Sequence, residues 1–302
     1  MQEIFLRLAM NWQKSLKGKF RTREFLKEHT TFKIGGPAKI FFEPRDIKDL
    51  RLSLSLVKKN RIPILVIGAG SNILVNDDGF KGMVLRLNTP SFKKIVLKHN
   101  CLEAGSGVLL SQVVLKAKGL GLSGAEFLSG IPGTVGGALI MNAGIREKNI
   151  ADLVEDVKVM DYNGNIKILN KNNIKFKYRS SNLSQYIILS ARLKLRKKDP
   201  RKIKEKIKKY FVYRKLTHDL SKPSAGCVFK NPTGYSAGRL IDLCGLKGKR
   251  IGDASISFKH ANFIVNIGNA RAKDVLKLMS LIRREVKKKF NISLKPEIKI
   301  WK

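Results

Sequence analysis

Residues 224–232 read SAGCVFKNP, a Gly-flanked polar turn that holds one of only three cysteines in the chain. A structural cysteine ordinarily sits in an apolar run, as Cys101 and Cys244 do. Cys227 is therefore presented rather than packed, and its thiol needs a reacting partner. Two glycine clusters suggest one. GAGSN (68–72) follows a short apolar strand, so its successive backbone N–H groups can form a nest for a pyrophosphate. SGIPGTVGG (129–137) leads into an apolar helix and sets a helix N-terminus beside a glycine turn, again suited to phosphate. Neither contains Gly-x-Gly-x-x-Gly or a Walker Lys-Ser/Thr, which excludes Rossmann and P-loop assignments. One such cluster is more often a tight turn; two in one domain point to a dinucleotide. A third stretch, HTTFKIGGPAKIFFEP (29–44), adds Gly35-Gly36 between a polar turn and a strand.

Those turns need elements to hold them. Pro44 and Asp46 open a helix whose inner face is Ile47, Leu50, Leu54 and Val57, and IPILVIGAGSN follows as strand and turn. FKGMVLRLN (80–88) and residues 101–104 are further strands, and Ser111 is expected to cap a helix through Lys118. Residues 154–169 have hairpin composition around a two-residue Asn163-Gly164 turn. YIILSARLKL (186–195) closes this half, and the charged stretch 196–206, with Pro200, marks a domain boundary. LRKKDPRKIKEKIKKYFVYRK (195–215) reads as an amphipathic helix with Ile203, Ile207 and Phe211 inward and a solvated basic face. A short helix near 236–244, a strand in ANFIVNIG (261–268) and a strand in LKPEIKIW are expected beyond it. Between those two strands, residues 272–290 form a long helix with Val275, Leu278, Ile282 and Val286 inward. Near the N-terminus, Phe5, Leu8, Trp12 and Leu16 fall at helical spacing. The plan is α+β in three parts: an amphipathic segment 1–28, a larger domain 29–197 and a C-terminal domain 198–302.

Composition narrows the class without naming the chemistry. A hydrophobic fraction of 43% over 302 residues is that of a globular protein with real cores. No apolar run is long enough to span a bilayer, so no membrane insertion is expected. Arg7 interrupts the apolar part of the N-terminus, which reads poorly as a signal peptide; a transit peptide stays open. Three widely spaced cysteines and four scattered histidines argue against a disulfide framework or a metal site and fit a reducing cytoplasm. The formal net charge of +38 would attract anions and bind nucleic acid non-specifically. Lysine is spread along the whole chain, however, and no motif for specific nucleic-acid readout is present.

In order, TFKIGGPA, VIGAGSNILV and EFLSGIPGTVGGALIMNAG resemble the flavin domain of the UDP-N-acetylenolpyruvoylglucosamine reductase (MurB) family. FKYRSS, PSAGCVFKNP, GDASISFKHANFIVN and PEIKIW continue the resemblance to the C-terminus, so it covers residues 25–302. The short stretch between Arg179 and Ser224 resembles the form of the family without an extra tyrosine-bearing loop. The resemblance implies a two-lobed FAD-binding domain of the PCMH type, followed by a smaller α+β substrate-binding domain. It implies non-covalent FAD, NADPH as reductant, and reduction of the enolpyruvyl group of UDP-N-acetylglucosamine enolpyruvate to UDP-N-acetylmuramate for peptidoglycan. A monomer in the cytoplasm is the corresponding expectation.

Carried over by motif, the flavin contacts fall on Thr31, Gly35 and Gly36, and on Gly68, Ala69, Gly70, Ser71 and Asn72. From the second cluster they fall on Gly130, Ile131, Pro132, Gly133, Gly136 and Gly137, and beyond it on Asn142 and Gly144. Arg179 matches the arginine that polarises the substrate carboxylate, and Glu297 the glutamate that assists it. Cys227 stands where many members carry serine as the proton donor. With a pKa of about 8.5 a thiol is a stronger acid than an alcohol, and it is mostly protonated near neutral pH. No His is placed by motif to activate it as a nucleophile. Lys230 and Asn231 resemble phosphate-contacting positions. Lys215 is a weaker match, because RKLTHDLSKPSAG departs from the commoner sequence around Gln-Pro. His260, in KHANF, reads as structural or as a support behind the residues that touch substrate, rather than as catalytic. Two rivals remain: sugar or alcohol oxidases of the same fold, disfavoured by the C-terminal motifs, and a basic protein that binds nucleic acid or membrane surfaces.

Overall fold

The structure, a computed structural model, describes residues 11–98, 101–145 and 147–301. The chain divides into two compact units, and neither is continuous in sequence. The first comprises residues up to Arg23, Lys39–Ala69 and Lys81–Val212; the second comprises Glu24–Ala38, Gly70–Phe80 and Tyr213 onward. The expected cuts at 28/29 and 197/198 are linear. The units instead place the TFKIGG and GAGSN segments, save Gly68 and Ala69, with the C-terminal residues.

The first unit has two lobes. In one, strands Lys19–Phe25, Pro37–Glu43, Phe80–Arg86 and Ile64–Ile67 form a sheet in that order. Helix α1 (Ile47–Lys59) covers it, with Leu50, Leu54 and Val57 buried and Asp46 Oδ1 accepting from the Asp49 N–H at 2.9 Å. Trp12 and Leu16 join that core, while Phe5 and Leu8 lie outside the described residues.

The other lobe is a five-stranded antiparallel sheet. Its order is Ile166–Asn170, Val154–Met160, Ile187–Lys194, Cys101–Gly105 and Ile95–Lys98. Helices α2 (Leu110–Gly119), α3 (Val135–Met141) and α4 (Pro200–Thr217) pack their apolar faces on its core. Three local expectations are corrected here. Ser111 lies inside the first turn of α2; the Leu109 N–H at the cap is satisfied by Gln112 Oε1 at 3.0 Å. The hairpin connection is five residues, 161–165, because Asp161 Oδ1 accepts from the N–H of both Asn163 and Asn165 and organises a wider loop. Phe211 on α4 is 52% exposed, and Tyr210 takes the inward place in register with Ile203 and Ile207.

The second unit is built on an antiparallel sheet of Ser224–Cys227, Phe263–Asn266, Ala254–Ile256 and Arg250–Ile251. Helices α5 (Ala237–Leu243) and α6 (Ala272–Phe290) share its apolar core, and α6 buries Val275, Leu278, Ile282 and Val286, as their spacing requires. Asp77 caps α6 from a distant part of the chain, accepting from the N–H groups of Ala272 at 2.8 Å and Lys273 at 3.1 Å. Strand Ile73–Val75, directly after the GAGSN turn, pairs in parallel with Lys299–Trp301.

Candidate active site

Cys227 ends the strand Ser224–Cys227, opposite Phe263, after a bulge at Ala225-Gly226. Gly226 has φ of +75°, a conformation that favours glycine, and a side chain there would meet nothing within 4 Å. The bulge turns the thiol of Cys227 out of the ladder, where it is half-buried and not in a disulfide. Past Cys227 the chain changes partner. The Glu297 N–H donates to Val228 O at 2.7 Å, the Lys230 N–H to Lys295 O at 2.9 Å, and Phe229 bridges Pro296. Glu297 is held from its other side by Asn72 Nδ2, which donates to its carbonyl at 3.3 Å. Cys227 and Glu297, 70 residues apart in sequence (297 − 227), are thereby set on adjoining segments of one unit.

Arg179 belongs to the first unit. The two-residue strands Phe176–Lys177 and Ser180–Ser181 pair as a miniature hairpin, so Tyr178 and Arg179 form its tip. Arg179 has φ of +54°, a strained conformation for a residue with a side chain, of the kind functional turns retain. Its guanidinium lies 5.2 Å from the centre of the Tyr178 ring, and Nη1 donates to Gly144 O at 3.2 Å. Ser181 Oγ donates to Leu139 O at 2.9 Å and Asn142 Nδ2 to Lys177 O at 3.2 Å, which fastens the hairpin to the end of α3. The tip is thus rigid. That rigidity suits a cation that must meet a carboxylate in one geometry.

The glycine clusters do more internal work than the sequence suggests. The N–H groups of Val135 and Gly136, opening α3, donate to Val108 O and Ser106 O, and that of Gly137 to Thr134 Oγ1. Those three donors are taken by the protein, so the expected phosphate site at this helix start lacks them. Asn142 is 6% exposed, with its Oδ1 accepting from the Ala151 N–H, and a Cβ on Gly144 would lie 2.1 Å from Lys148 O. Gly36 is equally confined, 2.1 Å from Asp77 O, and Gly35 has φ of +143°. In the first turn, Gly70 has φ of +66°, and a Cβ there would lie 2.0 Å from His29 O. Thr31 joins it, its N–H donating to Gly70 O at 3.1 Å and its hydroxyl to Ser224 O at 2.7 Å.

One polar atom among these turns asks for a ligand. Ser106 Oγ is buried without a hydrogen-bond partner among the described residues, packed against Gly136, where a Cβ would come 3.1 Å from Ser106 Cβ. Gly68 lies beside Thr134 Oγ1, 2.5 Å from where its Cβ would be. A buried unmatched hydroxyl against a glycine turn suits a polar ligand that approaches backbone closely, and a flavin dinucleotide fits that description. Among the described residues no cluster of His, Cys, Asp or Glu could hold a metal ion.

Asn231 is exposed and its Oδ1 caps the start of α5, accepting from the Ala237 N–H at 2.9 Å. Lys230 is half-buried beside it. Lys215 is exposed in the last turn of α4, where its carbonyl accepts from Lys259 Nζ. His260 is structural: its ring lies 4.8 Å from Phe263 and 5.7 Å from His218, and burial lowers its pKa. His218 is pushed down to about 3 by burial, with the neighbouring Arg214, His260 and Lys259 adding to the effect. Sequence reasoning missed Asn262, 2% exposed, whose side chain bonds both backbone groups of Phe229. An asparagine flanked by Ala261 and Phe263 in KHANF was the available signal.

A glycine-cradled, two-lobed domain joined to a unit that presents a thiol and a glutamate defines a flavin-dependent oxidoreductase with a dedicated substrate domain. Family comparisons agree with that division: an FAD binding domain matches residues 38–170, and a UDP-N-acetylenolpyruvoylglucosamine reductase C-terminal domain matches 218–301. UDP-N-acetylenolpyruvoylglucosamine reductase from Desulforamulus reducens is 39% identical over 299 residues, covering 98% of each chain. Its counterpart from Caldanaerobacter subterraneus is 42% identical over 286 residues, 94% of each. The crystal structure of the Thermus caldophilus reductase superposes with a TM-score of 0.82 at 40% identity, covering 95% of this chain and all of that one. The chain belongs to the UDP-N-acetylenolpyruvoylglucosamine reductase family.

Proposed function

We propose that the chain reduces the enolpyruvyl double bond of UDP-N-acetylglucosamine enolpyruvate to give UDP-N-acetylmuramate, with Cys227, Arg179 and Glu297 carrying the substrate half of the reaction. FAD, held by the turns at Thr31, 68–72 and 130–133, would supply to the terminal enol carbon a hydride drawn from NADPH. Arg179, on its rigid hairpin tip, clamps the substrate carboxylate and stabilises the charge that then spreads from the adjacent carbon. The Cys227 thiol gives its proton to that carbon, the one bearing the ether oxygen, and recovers it from solvent. Glu297 shares a proton with the carboxylate end. Lys230 lies on the segment that follows the donor and binds the nucleotide phosphates, with Lys215 as a second cation. Three cysteines, none in a disulfide, support a reducing, cytoplasmic setting.

The observation that carries this reading is the Glu297 N–H to Val228 O bond, which fixes the glutamate's segment on the residue next to the thiol. Anaerobic flavin absorbance tests it. NADPH should bleach the oxidised band, and the enolpyruvyl sugar should restore it. Cys227→Ala should bleach normally and restore the band about 10²- to 10⁴-fold more slowly, the usual contribution of a positioned acid, whereas Cys227→Ser should retain activity. Equal restoration by Cys227→Ala would remove the thiol from the mechanism.

A further inference from the structure

We propose that Asn262 is the positioning residue that holds the proton donor against the glutamate, an inference that rests on the reductase reading above. Residues 228–230 leave the sheet at Cys227, the last residue with a ladder partner on the strand Phe263–Asn266. On one edge they then meet 295–297, through the bonds from the Glu297 and Lys230 N–H groups. Their other edge would lose its ladder, and among the described residues Asn262 supplies the bonds that replace it. Its carbonyl accepts from the Val228 N–H at 2.8 Å, its Oδ1 accepts from the Phe229 N–H at 3.0 Å, and its Nδ2 donates to Phe229 O at 2.8 Å. One side chain thus mimics a strand edge two hydrogen bonds wide.

Asn262 is itself fixed. It is 2% exposed, and its N–H donates to His260 Nδ1 at 3.2 Å. That bond needs the neutral ring with its proton on Nε2, and burial of His260 favours the neutral form. The segment bearing Val228 is therefore gripped between Asn262 and Glu297, and the spacing of donor and glutamate is set by that grip. Loosening one side lets the thiol drift, and a misplacement of about 1 Å costs on the order of 10²-fold in rate.

Asn262→Asp tests this with little change in volume: a carboxylate accepts from the Phe229 N–H but cannot donate to Phe229 O. In the holoenzyme, bleaching by NADPH should match the wild type, while restoration of the oxidised band by the enolpyruvyl sugar should slow about 10²-fold. Asn262→Ala should behave alike. Iodoacetamide labelling without substrate, read by peptide mass spectrometry, should change at Cys227 and stay constant at Cys244. Should neither variant fold, hydrogen exchange of the wild-type Phe229 amide decides: the clamp requires protection, and exchange at the rate of an exposed loop overturns it. Equal slowing of both half-reactions, or restoration at the wild-type rate with unchanged labelling of Cys227, also overturns the proposal. Failure of the wild type itself to be reoxidised by the enolpyruvyl sugar would strike the functional reading instead.

Discussion

Acidification should destabilise this protein through His218, and replacing that residue should remove the effect. His218 packs against the rings of His260 and Phe263, at 5.7 and 5.4 Å, with its Nδ1 2.9 Å from Thr217 Oγ1. Burial, then Arg214, His260 and Lys259, lower its pKa from 6.5 to about 3, so the folded protein keeps it neutral. The unfolded chain binds a proton there below pH 6.5. Between those two values the unfolded state therefore holds more protons, and stability falls as pH falls. Going from pH 7.5 to 5.5, the unfolded ensemble gains on the order of 1 kcal/mol from this one group, with the ring's remaining solvent contact allowed for. For a chain of 302 residues that is a shift of about 1.5–2 °C in Tm. Thermal denaturation of wild type and His218→Gln at both pH values isolates the term as a difference of differences. The wild type should lose more Tm on acidification than the variant does. An equal loss in the two proteins would mean that His218 is protonated in the folded state, and the burial argument would be wrong.

Two further outcomes follow from the geometry. Arg179→Lys keeps the charge but lacks the planar fork that meets a carboxylate with two hydrogen bonds, so reoxidation by the enolpyruvyl sugar should fall about 10²-fold while bound flavin is retained; wild-type reoxidation kinetics in that variant would exclude the clamp. Asp77→Ala removes the only side chain that the described residues offer to the Ala272 and Lys273 N–H groups. It should cost about 1–2 kcal/mol in urea unfolding without touching the NADPH half-reaction, and an unchanged midpoint would mean that water caps α6 equally well.

Much of this was legible in the sequence, because its signals are local. The inward face of α6 and the helix after Asp46 follow from spacing, and Cys227 stood out because a thiol in a polar glycine turn has no packing role. What was lost is non-local. A glycine cluster at a helix start looks the same whether its N–H groups face a phosphate or, as with Val135 and Gly136, the carbonyls of Val108 and Ser106. Asp161 beside Asn163-Gly164 widened a turn that the dipeptide alone makes tight. Asn262 lies in the KHANF motif, but nothing local shows what it holds, since its partner is the backbone of a residue 33 positions away (262 − 229).

The order of the motifs has a structural cause that their spacing conceals. TFKIGG, the end of GAGSN, PSAGC and PEIKIW all lie in the second unit. Thr31 bonds Gly70 through its N–H and Ser224 through its hydroxyl, and Asn266 Nδ2 donates to Phe32 O at 3.1 Å. Asn72 bonds Glu297 O and accepts from the Lys299 N–H through its own carbonyl. Two segments from the N-terminal half are therefore woven into the unit that carries the thiol and the glutamate. A substitution in either, such as one at Gly70, acts directly on the strand bearing Cys227 as well as on the glycine turn. The segments that a sequence reading assigns to the cofactor and those it assigns to the substrate are, in this fold, held by the same hydrogen bonds. That shared framework accounts for four short motifs, each weak alone, being specific in combination.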